Sequence, residues 1–177
     1  MSRADTLRVA KKILKRANRG VNEYFKYPMV LSDGFQYVSD GFSCLVVEDH
    51  LDLPKRPKDL LTVPLDLYLK KERIYTILEA PDVKKLGVYV KFCKANKQPC
   101  LYDFGPGRPL VNAEYLYDML TAVGKCEMYY DEGPYDVYIS NQLRFKSLDG
   151  KRKGFVMMVR RSKDLVYKKT NLEDYYE

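Results

Sequence analysis

Between Arg8 and Arg19 the chain places Arg8, Lys11, Lys12, Lys15, Arg16 and Arg19 at steps of one, three and four residues. That spacing gathers side chains on one side of an α-helix. No acid interrupts the set. Like charges this close repel one another, so the face must be well solvated or meet an anion. A row of guanidinium and ammonium groups suits the phosphates of a nucleic-acid backbone, and such contacts carry no sequence preference. A solvated charged face is the plain alternative.

Other chemistry is thinner. Glu48, Asp49, His50 and Asp52 could ligate a metal, but close-spaced ligands need further donors, and His50 is the one histidine in the chain. Asp103-Phe-Gly105 matches a kinase tripeptide without the Gly-rich loop, lysine strand or catalytic loop that would give it meaning. Gly105-Pro-Gly107 lacks the length and lysine of a phosphate loop. Cys44, Cys93, Cys100 and Cys126 show no Cys-x-x-Cys spacing and read as reduced, buried thiols; a Cys93–Cys100 disulfide is a minor alternative. The 16 tyrosines could stack bases, but their spread along the chain suits half-buried sheet positions. The expectation is therefore a protein that is not an enzyme and needs no cofactor or metal.

The elements that would carry the cations can be read locally. Ser2 or Asp5 can cap a first helix, and Gly20 suits the position past its end. Leu7, Val9, Ala10, Ile13, Leu14 and Ala17 fall on the side away from the cations. Asp33-Gly34 and Asp40-Gly41 are turn dipeptides that divide residues 27–47 into three β segments. His50–Arg56 is a loop. Leu60–Leu78 fits helix or strand. Pro81 suits the first turn of a helix running to about Ala95, with Gly87 unfavourable inside it. Cys100–Phe104 reads as a strand and Gly105–Pro109 as a loop. Asn112 caps a later helix, with Ala113, Leu116, Met119, Leu120 and Val123 apolar, and Gly124 ends it. Its polar face carries Glu114, Asp118 and Thr121. Strands are expected at Glu127–Tyr130, Asp136–Ser140, Leu143–Lys146 and Phe155–Arg161.

At 177 residues the chain has length for one domain, and its longest apolar runs fall far short of a membrane span. The charged N-terminus has no signal-peptide pattern, which favours the cytoplasm. The net charge of +7 is localised. Residues 1–30 hold eight cations against Asp5 and Glu23. A second basic cluster spans Lys146, Lys151, Arg152, Lys153, Arg160, Arg161 and Lys163, and the end, Leu172–Glu177, is acidic. Localised positive charge points to an anionic partner, most often nucleic acid.

Val111-Asn-Ala-Glu-Tyr-Leu-Tyr-Asp-Met-Leu-Thr-Ala-Val123, the strands after it and Gly154-Phe-Val-Met-Met-Val-Arg160 resemble the final domain of bacterial DNA polymerase sliding clamps. Tyr27–Val47, with Ser39-Asp-Gly-Phe42 inside it, resembles the strands of a clamp domain's first half, and Asp5–Arg19 stands where a channel-lining helix would. The resemblance covers roughly residues 4–48 and 108–161. It departs from the family at Met158-Val159, where a Met-Pro pair is usual, and in a second helix that is not basic. A clamp subunit also strings three such domains together, whereas this chain has length for one, so a ring would need several copies.

The resemblance implies an α+β fold: a single DNA-clamp-like domain over 1–161, built of two helix-plus-antiparallel-strand halves around one core. Residues 60–104 would be an inserted or connecting segment, and 162–177 a C-terminal tail. It also implies a replication accessory or processivity factor, of bacteriophage or mobile-element kind. Such a protein would bind duplex DNA through Arg8, Lys11, Lys12, Lys15, Arg16 and Arg19. It would meet a polymerase or other replication protein through Met157, Met158, Val159 and Arg160, and could form a homo-oligomer. The alternative is an interaction or assembly module that keeps the clamp-like fold without encircling DNA.

Overall fold

The computed structural model describes residues 2–20, 22–60, 75–131, 142–161 and 169–175. Ser2 caps α1 (Arg3–Ala17). Its Oγ accepts from the Asp5 N–H at 3.1 Å and its hydroxyl donates to the Asp5 carboxylate at 2.8 Å, a reciprocal cap on the first turn. Val9, Ala10, Ile13, Leu14 and Ala17 face the core as their spacing requires. The two Asp-Gly turns separate β1 (Met29–Val30), β2 (Gln36–Ser39) and β3 (Ser43–Val47).

Within Leu60–Leu78 the described part includes β4 (Tyr75–Leu78), a strand. Helix α2 (Val83–Ala95) starts two residues later than Pro81, because the Asp82 carboxylate accepts from the Lys85 N–H at 2.9 Å and takes the cap. Strands β5 (Leu101–Asp103) and β6 (Leu110–Asn112) form a small hairpin around the Gly-Pro loop. Asn112 then caps α3 (Ala113–Val123), accepting from Glu114 and Tyr115 N–H. It is followed by β7 (Cys126–Asp131), β8 (Gln142–Ser147) and β9 (Arg152–Met157). The expected strand Asp136–Ser140 lies outside the described residues. Strand β9 lies earlier than Phe155–Arg161: after Met157 the chain leaves the sheet, Met158 bridges Val111, and the Val159 N–H donates to Leu110 O at 2.7 Å.

The protein is α+β. Among the described residues, seven strands form one antiparallel sheet, ordered β1-β2-β3-β9-β8-β7-β4. Each helix-first half, α1 with β1–β3 and α3 with β7–β9, contributes a meander, and the halves meet where β3 pairs with β9. The two turns Asp40-Gly41 and Asp149-Gly150 repeat one chemistry. Each aspartate accepts from a backbone N–H, a serine hydroxyl and an arginine: Asp40 from Ser43 N–H, Ser43 Oγ and Arg16, Asp149 from Lys151 N–H, Ser147 Oγ and Arg152.

Helix α3 lies at the centre of the helical layer. Thr6, near the start of α1, donates to Ala122 O at 3.1 Å near the end of α3, while Arg16, near the end of α1, stacks on Tyr115 in the first turn of α3. The two helices therefore run antiparallel. Two glycines allow this packing. A Cβ at Gly154 would lie 2.5 Å from Cys44 O and 2.6 Å from Met119 Sδ, so α3 rests directly on the β9 backbone. A Cβ at Gly87 would lie 2.9 Å from Tyr117 Cε2, so the residue unfavourable to an isolated helix is where α2 and α3 approach. Leu116, Met119, Leu120, Leu45, Leu143 and Phe145 fill the main core. A smaller cluster of Met29, Tyr37, Cys44, Val46 and Phe155 occupies the sheet's other face, against Phe25, Leu31 and Phe35.

Candidate nucleic-acid interface

The six cations between Arg8 and Arg19 divide into two groups. Lys12 and Arg16 lean toward α3 and are tied down. Lys12 Nζ lies 2.7 Å from Glu114 and 2.9 Å from Asp118. Arg16 Nη1 lies 2.6 Å from Asp118, and Nε lies 2.6 Å from Asp40. Lys94 of α2 adds a contact to Glu114 at 2.9 Å. Lys94, Glu114, Lys12, Asp118, Arg16 and Asp40 thus alternate in sign across three helices and the β2–β3 turn. These two cations answer the acidic face of α3.

Arg8, Lys11, Lys15 and Arg19 point the other way and are exposed. Arg8 lies 3.4 Å from Asp5 at the helix start. Among the described residues, Lys11, Lys15 and Arg19 have no ion-pair partner. Arg8, Lys11 and Lys15 stand three or four residues apart and form one row along the outer side of α1, and Arg19 follows in the turn two residues past the helix end at Ala17.

The ladder has an acid-labile member. Burial raises the Glu114 pKa, but donation from Lys12 and Lys94 outweighs it and holds the carboxyl below its ordinary value of 4.5. A depressed carboxylate adds stability above its unfolded pKa and loses it as pH falls through the folded one. Glu114→Gln is therefore expected to cost at most about 1 kcal/mol at neutral pH, since the pairs are partly exposed. It should also flatten the fall in stability below about pH 4.5. Urea titrations of both proteins at stepped pH measure this; parallel acid limbs would refute it.

The second basic cluster is largely engaged. Lys151 sits 4.0 and 3.9 Å from Glu48 and Asp49, Arg152 lies 3.1 Å from Asp149, and Lys153 lies over the Phe35 ring. Arg161 Nη1 donates to Asp103 at 2.8 Å, and Nη2 donates to the carbonyls of Gly105 and Arg108. Asp103 is thus a structural clip for the Gly-Pro loop. Lys163 lies outside the described residues.

His50 Nε2 is 2.8 Å from Gly34 O, and no group of three metal-ligating side chains converges among the described residues. A cavity of about 200 Å³ beside the start of α1 is lined by Asp49 and Asp149 as well as Arg3, Lys151 and Arg152, so both signs are present. Burial pushes the thiols of Cys44, Cys100 and Cys126 up, to about 12 for Cys100 and about 11 for Cys126, which leaves little thiolate at neutral pH. Tyr37, Tyr89, Tyr102 and Tyr130 are buried in the body rather than displayed for stacking.

Met157 and Met158 are partly buried, and Val159 and Arg160 are exposed. The Met157 N–H donates to Phe42 O at 2.8 Å, which brings the 61% exposed Phe42 beside this segment. Local patterns did not mark Phe42 as part of that surface, because only the β3–β9 register brings the two together. No described helix is long and apolar enough to cross a membrane. No protein-family model, curated protein or solved structure matches the chain.

Proposed function

We propose that this chain is a non-enzymatic, clamp-like DNA-binding accessory protein of the replication machinery, working in the cytoplasm. One observation carries the reading: Arg8, Lys11 and Lys15 on α1 and Arg19 in the turn after it are exposed, and three of the four lack a carboxylate partner among the described residues. The row would track duplex phosphates without reading bases. Lys12 and Arg16 would set the helix's position rather than touch DNA. Met157–Arg160 with Phe42 would receive a polymerase or another replication protein, and several copies would be needed to surround a duplex.

Four phosphate contacts imply that log Kobs falls against log salt with a slope of roughly −3.5, or about a hundredfold loss of affinity between 50 and 200 mM. Fluorescence anisotropy with duplexes of unrelated sequence measures the slope, and equal affinities across sequences are expected. Binding that is absent, or indifferent to salt, would overturn the reading. It would favour the second one, an interaction module that uses the exposed Phe42 and Val159 and the partly buried Met157 without encircling DNA.

A further inference from the structure

The C-terminal segment does not hang free. Lys169–Tyr175 returns to the body and lies across β5 and α2. The Thr170 N–H donates to Asp103 O at 2.9 Å, and the Asp103 N–H donates to Thr170 Oγ1 at 2.9 Å. Leu172 is buried in the main core cluster. The Tyr175 ring packs on Tyr89 and Phe92, with centroids 4.7 and 5.1 Å apart. Glu173 pairs with Lys85.

These are the contacts of a short linear peptide in a groove: main-chain bonds to one strand residue, one apolar anchor, one aromatic anchor and one ion pair. The charges also match. Helix α2 carries Lys84, Lys85, Lys91 and Lys94 and no acid, whereas the seated segment brings Glu173 and Asp174. The attachment is local. Arg161 is clipped to the carboxylate of Asp103, and Thr170 is bonded to the backbone of the same residue. Arg161 and Thr170 are therefore both held at one residue, Asp103.

We propose that the groove between α2 and β5 is a docking site for an acidic peptide of a partner protein, with a leucine followed three residues later by an aromatic, and that Leu172–Tyr175 fills it in cis until displaced. A short tether gives the resident segment an effective concentration on the order of millimolar. If the segment binds in trans with a Kd on the order of 100 µM, it masks the groove roughly tenfold. The site is independent of the α1 row, so DNA binding and peptide docking can fail separately.

The test is a titration of a fluorescein-labelled peptide, Lys-Thr-Asn-Leu-Glu-Asp-Tyr-Tyr-Glu, into the full chain and into a full-length Leu172→Ala/Tyr175→Ala variant. The variant should bind about tenfold more tightly than the wild type. Adding Lys85→Glu should abolish that binding, and a peptide with lysine in place of its first glutamate should restore it. A folded variant that binds no peptide overturns the proposal. Hydrogen exchange on the unaltered chain covers a variant that does not fold. Exchange of the Thr170 amide well ahead of the β3 and β9 amides supports a detachable segment, and exchange at the global rate overturns it. Light scattering that shows dimers held by exchanged C-termini would make a second copy the occupant, and would also overturn it.

Discussion

Duplex binding will fall by roughly three orders of magnitude near physiological salt when Lys11, Lys15 and Arg19 are all changed to Glu. Removing three of four phosphate contacts deletes most of the counterion release that drives association, and the three new carboxylates add repulsion against the backbone. The fold should not suffer. All three side chains are exposed and lack carboxylate partners among the described residues, and the apolar side of α1 is untouched. Surface substitutions of this kind stay within about 0.5 kcal/mol. The variant should therefore show the wild-type urea midpoint and almost no salt-dependent binding. Binding that survives in a folded triple variant would assign the contact to another surface and remove α1 from the interface.

That separation between outer and inner cations was only half legible in the sequence. Helical spacing placed all six on the side away from Ile13 and Leu14, and the acids Glu114 and Asp118 were legible on the polar face of α3. What no local pattern states is that α1 and α3 lie side by side and antiparallel, so that two of the cations answer those acids. The pairing is a consequence of tertiary packing, of Gly154 letting α3 rest on β9 and of β3 joining β9. The caps at Ser2 and Asn112, the Asp-Gly turns and most strands were legible because each depends on a few neighbouring residues. The limits of β9 were not, because Met158 and Val159 leave the sheet to pair with Val111 and Leu110, far away in sequence. The role of residues 169–175 was also hidden, since their acidic, aromatic composition describes a free tail as well as one held by Lys85, Tyr89 and Phe92.

The inner cations should behave in the opposite way to the outer ones, and Arg16 gives the largest effect. Its side chain is 17% exposed, between Asp40 at 2% and Asp118 at 5%. Burial disfavours its charge, but hydrogen bonds to Asp118 and Asp40 outweigh this and raise its pKa. Nη2 also donates to Ser43 Oγ at 3.3 Å, and the guanidinium covers the Tyr115 ring at 4.4 Å. Arg16→Met keeps an apolar stem against that ring but leaves two buried carboxylates without their shared cation. Removing one partner from a buried pair costs about 3–5 kcal/mol. The lower end is expected here, about 3 kcal/mol, because Asp118 keeps Lys12 and Asp40 keeps the N–H groups of Phe42 and Ser43. Lys12→Met should cost less than about 1 kcal/mol, since its side chain is 38% exposed. Combining Arg16→Met with Asp118→Leu should recover part of the loss, because an apolar pair replaces an orphaned charge. The destabilised Arg16→Met chain, measured where it is still folded, should keep the wild-type salt slope for DNA. A shallower slope would place Arg16 at the phosphates after all, and an unchanged urea midpoint would show that the ladder does not hold α1 against α3.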